Sequence, residues 1–148
     1  MGNSLSHLYI YGDDSLGVNL DHALDYMGGL LPDTEIELRK DFFKYHLDAD
    51  PVLKQVQDHS GPDPLAERLA GIKVLNPIKE GLNPDPIYGE IDYERRKILN
   101  PSTVSIGVMY DGFRMQAIFY PLISKEEKGK DHLHVVLTNQ LVVTWESY

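Results

Sequence analysis

The sequence predicts an α/β protein: a mixed, mainly parallel sheet with helices packed on it. Three observations carry that prediction. Runs with strand periodicity alternate along the chain with runs of helical periodicity. Strands joined through helices use right-handed crossovers, which make neighbouring strands parallel. The totals are globular: with 148 residues, 42% apolar and 25% charged, the chain has enough apolar side chain for one core. Residues 1–148 are therefore read as a single α/β domain.

The elements follow in order. His7 to Tyr11 (HLYIY) is β-rich and ends at Gly12-Asp13-Asp14. Asn19 caps a predicted helix from Leu20 to about Leu31, in which Leu20, Ala23, Leu24, Met27, Leu30 and Leu31 share one face. Pro32-Asp33 stops it. Thr34 to Leu38 alternates apolar and charged residues, the pattern of a half-buried strand. Asp41 to His46 carries three aromatic residues suited to the edge of a core. Asp50-Pro51 and Asp63-Pro64 both read as helix starts, with Asp at the cap and Pro in the first turn, and Gly71 closes the second helix. Ile72 to Leu75 follows as a short strand. Pro77, Gly81, Pro84 and Pro86 mark a loop. Ile87 to Leu99 fits two patterns: Ile87, Ile91 and Ile98 suit a helix, whereas Tyr88, Ile91 and Tyr93 suit a strand. Val104 to Tyr110 predicts a buried strand. Phe113 to Ile123 places Met115, Ile118, Phe119, Leu122 and Ile123 on one helical face, with Pro121 expected to kink or end the last turn. A charged loop, Ser124 to Lys130, leads to strands at His132 to Thr138 and Leu141 to Trp145, with Asn139-Gln140 as the turn between them.

Charge and composition exclude several functions. The formal net charge is −9 and the pI is near 5.0. An acidic chain repels nucleic acid, and its longest basic run, Arg95-Arg96-Lys97, is flanked by Asp92 and Glu94. No nucleic-acid partner is expected. The absence of cysteine removes disulfides, thiolate zinc sites, iron–sulfur clusters and cysteine nucleophiles together. No apolar run approaches membrane-spanning length, and the N-terminus lacks the charged-then-apolar layout of a signal peptide. The expectation is a cytoplasmic protein without a membrane partner.

Three groups of residues offer chemistry. His132 and His134 are two apart on a predicted strand and so share a face, where two imidazoles can chelate one zinc ion. A catalytic zinc needs a third protein ligand, which His7, His22, His46, His59 or a carboxylate could supply, and a carboxylate such as Glu146 would polarise its water. The plainer alternative is the polar beginning of a strand. Asp13, Asp14 and Asp111 fall at the carboxyl ends of strands, where open α/β sheets bind ligands. Converging carboxylates there would hold magnesium in a layout similar to that of phosphoacceptor receiver domains. The lysine such a layout expects after the last core strand is missing from Thr138-Asn139-Gln140. The alternative is that Asp111 caps the next helix. Arg95 and Arg96 could clamp an anion, or they belong to a salt-bridged surface.

Three segments, YGEIDYERR (Tyr88 to Arg96), MYDGFRMQAIF (Met109 to Phe119) and DHLHVVLTNQLVVTWE (Asp131 to Glu146), occur in that order after DYMGGLLPDTEIELRKDFFKYH near the start. Together, from about Leu8 to Glu146, they resemble an archaeal family of uncharacterised proteins described as metallopeptidase candidates. Members of that family continue beyond the tryptophan motif, and the Cys and His that suggest a metal site in them lie in that later part. The resemblance thus implies the N-terminal portion of a longer protein, or a short relative, with a fold similar by analogy to the N-terminal subdomain of metzincin-like proteases. Pro121 departs from the smoother helix of that family.

Two functions are expected from this. The first is a zinc metallopeptidase-like protein that is non-catalytic as this chain and binds a peptide or protein. The second is a small acidic binding module, with a magnesium- or phosphate-linked site at Asp13, Asp14 and Asp111, or a protein-interaction domain. If neither metal binds, an interaction protein remains, and an unpaired strand at Leu141 to Trp145 is then the expected edge for a partner or a second copy.

Overall fold

The computed structural model describes residues 4–12, 16–51, 54, 63–101 and 107–145. The chain is α/β, with a parallel three-stranded sheet and helices around it. It groups into two compact units, Met1–His46 with Ile123–Thr138 and Leu47–Leu122 with Asn139–Tyr148. Among the described residues no helix is long and apolar enough to cross a membrane.

The first unit holds the parallel sheet. β1 (His7–Tyr11) lies between β2 (Glu35–Arg39) and β6 (His132–Val136), parallel to both. The crossover from β1 to β2 is α1 (Leu20–Leu30), which lies against β2. Asn19 caps α1 as its sequence requires: its side chain accepts a hydrogen bond from the His22 amide at 2.9 Å. After α1, the Thr34 hydroxyl donates to the Leu5 carbonyl at 2.8 Å, and the Glu35 amide donates to the Ser6 carbonyl at 2.9 Å. These bonds align β2 beside β1. α2 (Phe42–Ala49) starts after Asp41, whose Oδ1 accepts from the Lys44 amide at 3.1 Å.

Register decides what each face of this sheet carries. Tyr9 pairs with Glu37 on one side and His134 on the other, while Tyr11 pairs with Arg39 and Val136. Side chains two apart share a face. One face therefore presents Leu8, Ile10, Ile36, Leu38, Leu133 and Val135, with Leu8 and Ile10 buried as core. The opposite face presents His7, Tyr9 and Tyr11 between Glu35, Glu37 and Arg39 on β2 and His132 and His134 on β6.

The second unit is built on α3 (Pro64–Gly71) packed against α4 (Tyr88–Leu99). Asp63 caps α3 through its Oδ1 and the Ala66 amide, 3.0 Å apart, with Pro64 in the first turn. α4 settles the two-pattern stretch at Ile87 to Leu99 as a helix. Glu90 fixes its start by accepting from the Ile87 amide at 3.0 Å and from Asn83 Nδ2 at 2.9 Å. β3 (Val74–Asn76) pairs antiparallel with β4 (Gly81–Leu82). β5 (Met109–Asp111) pairs in parallel with β7 (Leu141–Val143), and an antiparallel bridge joins Lys73 to Tyr110. Of the strand predicted over Val104 to Tyr110, Met109 and Tyr110 lie in β5, whereas Gly107, at a φ of +81°, and Val108 precede it outside any strand, and 102–106 are outside the described residues. α5 (Gly112–Phe119) follows at once, and Pro121 sits in a 3-10 turn, Tyr120–Leu122, that ends the helix. Only Pro51 and Lys54 are described, both helical, in the stretch from Pro51 to Gly61 that follows Asp50.

Gly112 is required where β5 turns into α5. A Cβ there would meet Val142 Cγ1 at 2.9 Å, Thr144 Cγ2 at 3.1 Å and the Val143 carbonyl at 3.3 Å. The missing side chain lets β7 close on β5. Gly112→Ala should lower the unfolding free energy by about 1–3 kcal/mol through overpacking, measured by urea denaturation. A gain in stability would show that β7 has room to move aside.

Candidate functional site

The polar face of the first unit converges on the hydroxyl of Tyr11, a side chain with no exposed surface. Three groups meet that oxygen: His134 Nδ1 at 2.9 Å, Arg39 Nη1 at 3.0 Å and His46 Nε2 at 3.2 Å. Protonation follows by elimination. His134 Nε2 lies 2.9 Å from the Glu127 carbonyl, which only accepts, so Nε2 carries the hydrogen. Neutral His134 then presents a lone pair at Nδ1, and the Tyr11 hydroxyl donates to it. The Tyr11 oxygen is left to accept from the Arg39 guanidinium and from His46 Nε2–H.

Arg39 is buried and has every donor engaged. Its Nε and Nη2 hold Glu37 at 2.9 and 3.1 Å, and its Nη1 and Nη2 hold Glu127 at 2.9 and 2.6 Å. The fifth N–H serves Tyr11. The guanidinium carbon also lies 3.9 Å from the Tyr9 ring centroid and 4.4 Å from that of Tyr45. Glu37 is available because it is two residues before Arg39 on the same strand face, and Glu127 comes from the 3-10 turn Lys125–Glu127.

These contacts fix charge states. Burial works against the Arg39 cation, yet hydrogen bonds to Glu127, Glu37 and Tyr11 outweigh it and raise its pKa. Burial pushes Tyr11 up to about 12, against the pull of Arg39. Burial and the nearby Arg39 charge lower His46 to about 4. His134 is lowered by burial, although the Glu127 carbonyl opposes this. Glu127 is lowered by its hydrogen bonds to Arg39. At neutral pH Tyr11 is protonated, both histidines are neutral and the Arg39–Glu127 pair is charged.

At its other end this face is more open. His7 and His132 stack with ring centroids 4.6 Å apart. His7 Nδ1 lies 3.4 Å from Glu35, His132 Nε2 lies 3.7 Å from Asp131, and the Tyr9 hydroxyl lies 3.2 Å from His132 Nδ1.

The structure brings His132 and His134 to one face as their spacing requires, but both ring nitrogens of His134 already have protein partners. Among the described residues no group of three or more histidines or carboxylates is arranged to hold a metal. Glu146, Asp13 and Asp14 lie outside the described residues. Asp111 is buried at the start of α5, where Oδ1 accepts from the Arg114 amide at 3.0 Å and Oδ2 meets Arg114 Nε at 3.2 Å. It is the last residue of β5, whose sheet is separate from that of β1. On α4, Arg96 pairs with Asp92 at 3.1 Å and Arg95 lies 3.8 Å from the same carboxylate. The buried charge on that helix is Glu94 instead. Its Oε1 accepts from the Tyr110 hydroxyl at 2.8 Å and pairs with Lys73 at 3.1 Å, while Oε2 lies 3.6 Å from Lys97. β7 has one hydrogen-bonded neighbour among the described residues, β5, and Leu141 and Val142 on it are exposed.

Sequence reasoning missed Tyr11, Arg39 and Glu127, and it offered His46 only as a third zinc ligand beside His7, His22 and His59, of which His59 lies outside the described residues. The available signal was the alternation of HLYIY and TEIELR, which puts Tyr9 and Tyr11 on one face and Glu37 and Arg39 on another; parallel register merges the two.

Fold and site together define an α/β protein whose parallel sheet carries a tyrosine- and histidine-rich polar face around a buried arginine. The chain belongs to a family of unknown function, DUF7001, which it matches over residues 9–148. No curated protein and no solved structure matches it.

Two outcomes test the network. Tyr11→Phe removes the shared oxygen and leaves Arg39, His46 and His134 each short of a buried partner, so unfolding free energy should fall by about 1–3 kcal/mol. Chemical denaturation at pH 7 measures this. His46 has a folded pKa of about 4 against an ordinary 6.5, so the unfolded chain binds more protons between those values. Its contribution, roughly 3 kcal/mol, is present above pH 6.5 and is lost as pH falls towards 4. Glu127 and His134, both lowered, act in the same direction. Melting followed from pH 7 to pH 4 should show this decline, and His46→Gln, which keeps a donor to Tyr11 but does not titrate, should flatten it. An equal decline in the variant would assign the loss elsewhere.

Proposed function

We propose that the protein is a non-catalytic binding module that takes an extended polypeptide segment onto the β7 edge. The carrying observation is the edge itself: Leu141–Val143 has one strand neighbour among the described residues and exposes Leu141 and Val142. An unpaired strand side offers a row of backbone donors and acceptors to an incoming strand, with alternate side chains setting preference. The segment LVVT bears none of the charges or prolines that blunt such edges.

On this reading the resemblance to metallopeptidase candidates is one of N-terminal fold without zinc hydrolysis. What supports that part is the commitment of both His134 ring nitrogens, because a catalytic zinc needs free imidazole lone pairs and an open position. The magnesium reading is set second for a similar reason, since both Asp111 oxygens are engaged at the start of α5.

Immobilised protein screened against short random peptides should select segments with alternating apolar residues. Leu141→Lys should weaken their binding by about tenfold or more, while the melting temperature stays close to that of the wild type. Selection undiminished in that variant would remove the β7 edge from the proposal. Stoichiometric zinc that disappears when His132 and His134 are both changed to Ala would overturn the non-catalytic reading. A protein mass that doubles with concentration, and reverts in Leu141→Lys, would identify the incoming strand as β7 of a second copy.

A further inference from the structure

The two carboxylates on Arg39 are not equivalent. Glu37 takes the side of the guanidinium, through Nε and Nη2, and belongs to the same strand. Glu127 takes the end, through Nη1 and Nη2, and arrives from a three-residue 3-10 turn in the charged stretch before β6. That turn is a strap across the polar face, and Glu127 fastens it twice, by its carboxylate to Arg39 and by its carbonyl to His134.

We propose that the end of the Arg39 guanidinium is a binding site for a peptide carboxylate, at a C-terminus or on an Asp or Glu side chain, which Glu127 holds shut as an internal ligand. The pairing Glu127 adopts is the one such a ligand would take: each carboxylate oxygen accepts from one terminal nitrogen of the guanidinium, at 2.9 and 2.6 Å. The walls are already built, with the Tyr9 ring 3.9 Å and the Tyr45 ring 4.4 Å from the guanidinium carbon. They attract the cation and shield it from water, which strengthens a paired charge. When Glu127 leaves, Glu37 keeps Arg39 neutralised, so the open state does not strand a buried charge. A tethered carboxylate competes at high effective concentration, so an external one gains access only in proportion to the time the strap is open. This site lies in the first unit and stands or falls independently of the β7 edge.

The test follows the Arg39 Nε–H resonance by NMR while N-acetylglycine is added at constant ionic strength. Glu127→Ala should give a saturable shift at least about tenfold tighter than in the wild type, because the fraction of open sites is no longer limiting. N-acetylglycine amide, which lacks the carboxylate, should produce no shift. The proposal is overturned if Glu127→Ala responds as weakly as the wild type, or if the amide shifts the resonance equally. Should Glu127→Ala fail to fold, Glu127→Gln, with one acceptor oxygen in place of two, should show an intermediate tightening, and none would overturn the proposal as well.

Discussion

The first unit depends on the burial of one cation. Removing a guanidinium from water is expensive unless every donor finds a partner. Arg39 meets that demand with two carboxylates and a phenol. Those partners come from positions 11, 37 and 127, and Tyr11 extends the chain of contacts to 46 and 134. One buried charge thereby links β1, β2, β6, His46 of α2 and the turn before β6. The apolar face of the sheet, with Leu8 and Ile10 at its centre, supplies burial without direction. The polar face supplies direction, because hydrogen bonds fail when strands slip by one residue.

The network is also directional in its protons. The Glu127 carbonyl decides the tautomer of His134, His134 decides where the Tyr11 proton points, and the remaining Tyr11 lone pairs are then spoken for by Arg39 and His46. No link can reverse without breaking another. Burial holds these groups in one protonation state: it lowers His46, and it raises Tyr11 against the pull of Arg39.

Periodicity and caps made most elements legible. Asn19, Asp63 and Asp111 all cap helices as their sequence positions imply, and HLYIY forms β1 over its full length. The site was less legible because it is a property of register. A reading that ends β2 at Leu38 stops one residue short of Arg39, and a reading of His132 and His134 as a pair overlooks Tyr9 and Tyr11, which stand beside them only after β1 and β6 align. Ile87 to Leu99 resisted assignment for another reason. One of the residues α4 buries is Glu94, and a count of apolar positions does not score a carboxylate as core.

Arg39 and Glu94, in separate units, follow one rule with opposite signs. Arg39 is held by Glu37 and Glu127, and Glu94 by Lys73 and Lys97. A buried charge with a single partner becomes a bare ion whenever that partner moves, whereas one with two keeps a neutral pair after losing either. Doubling the counter-charge therefore makes one of the two partners exchangeable. In the second unit Lys97 is on the same helix as Glu94 and Lys73 is on the chain leading into β3, so both are anchored by regular structure. In the first unit Glu37 is anchored by the sheet, and Glu127 rides on a three-residue turn. The same electrostatic arrangement is thus rigid in one unit and, in the other, leaves one partner free to be replaced.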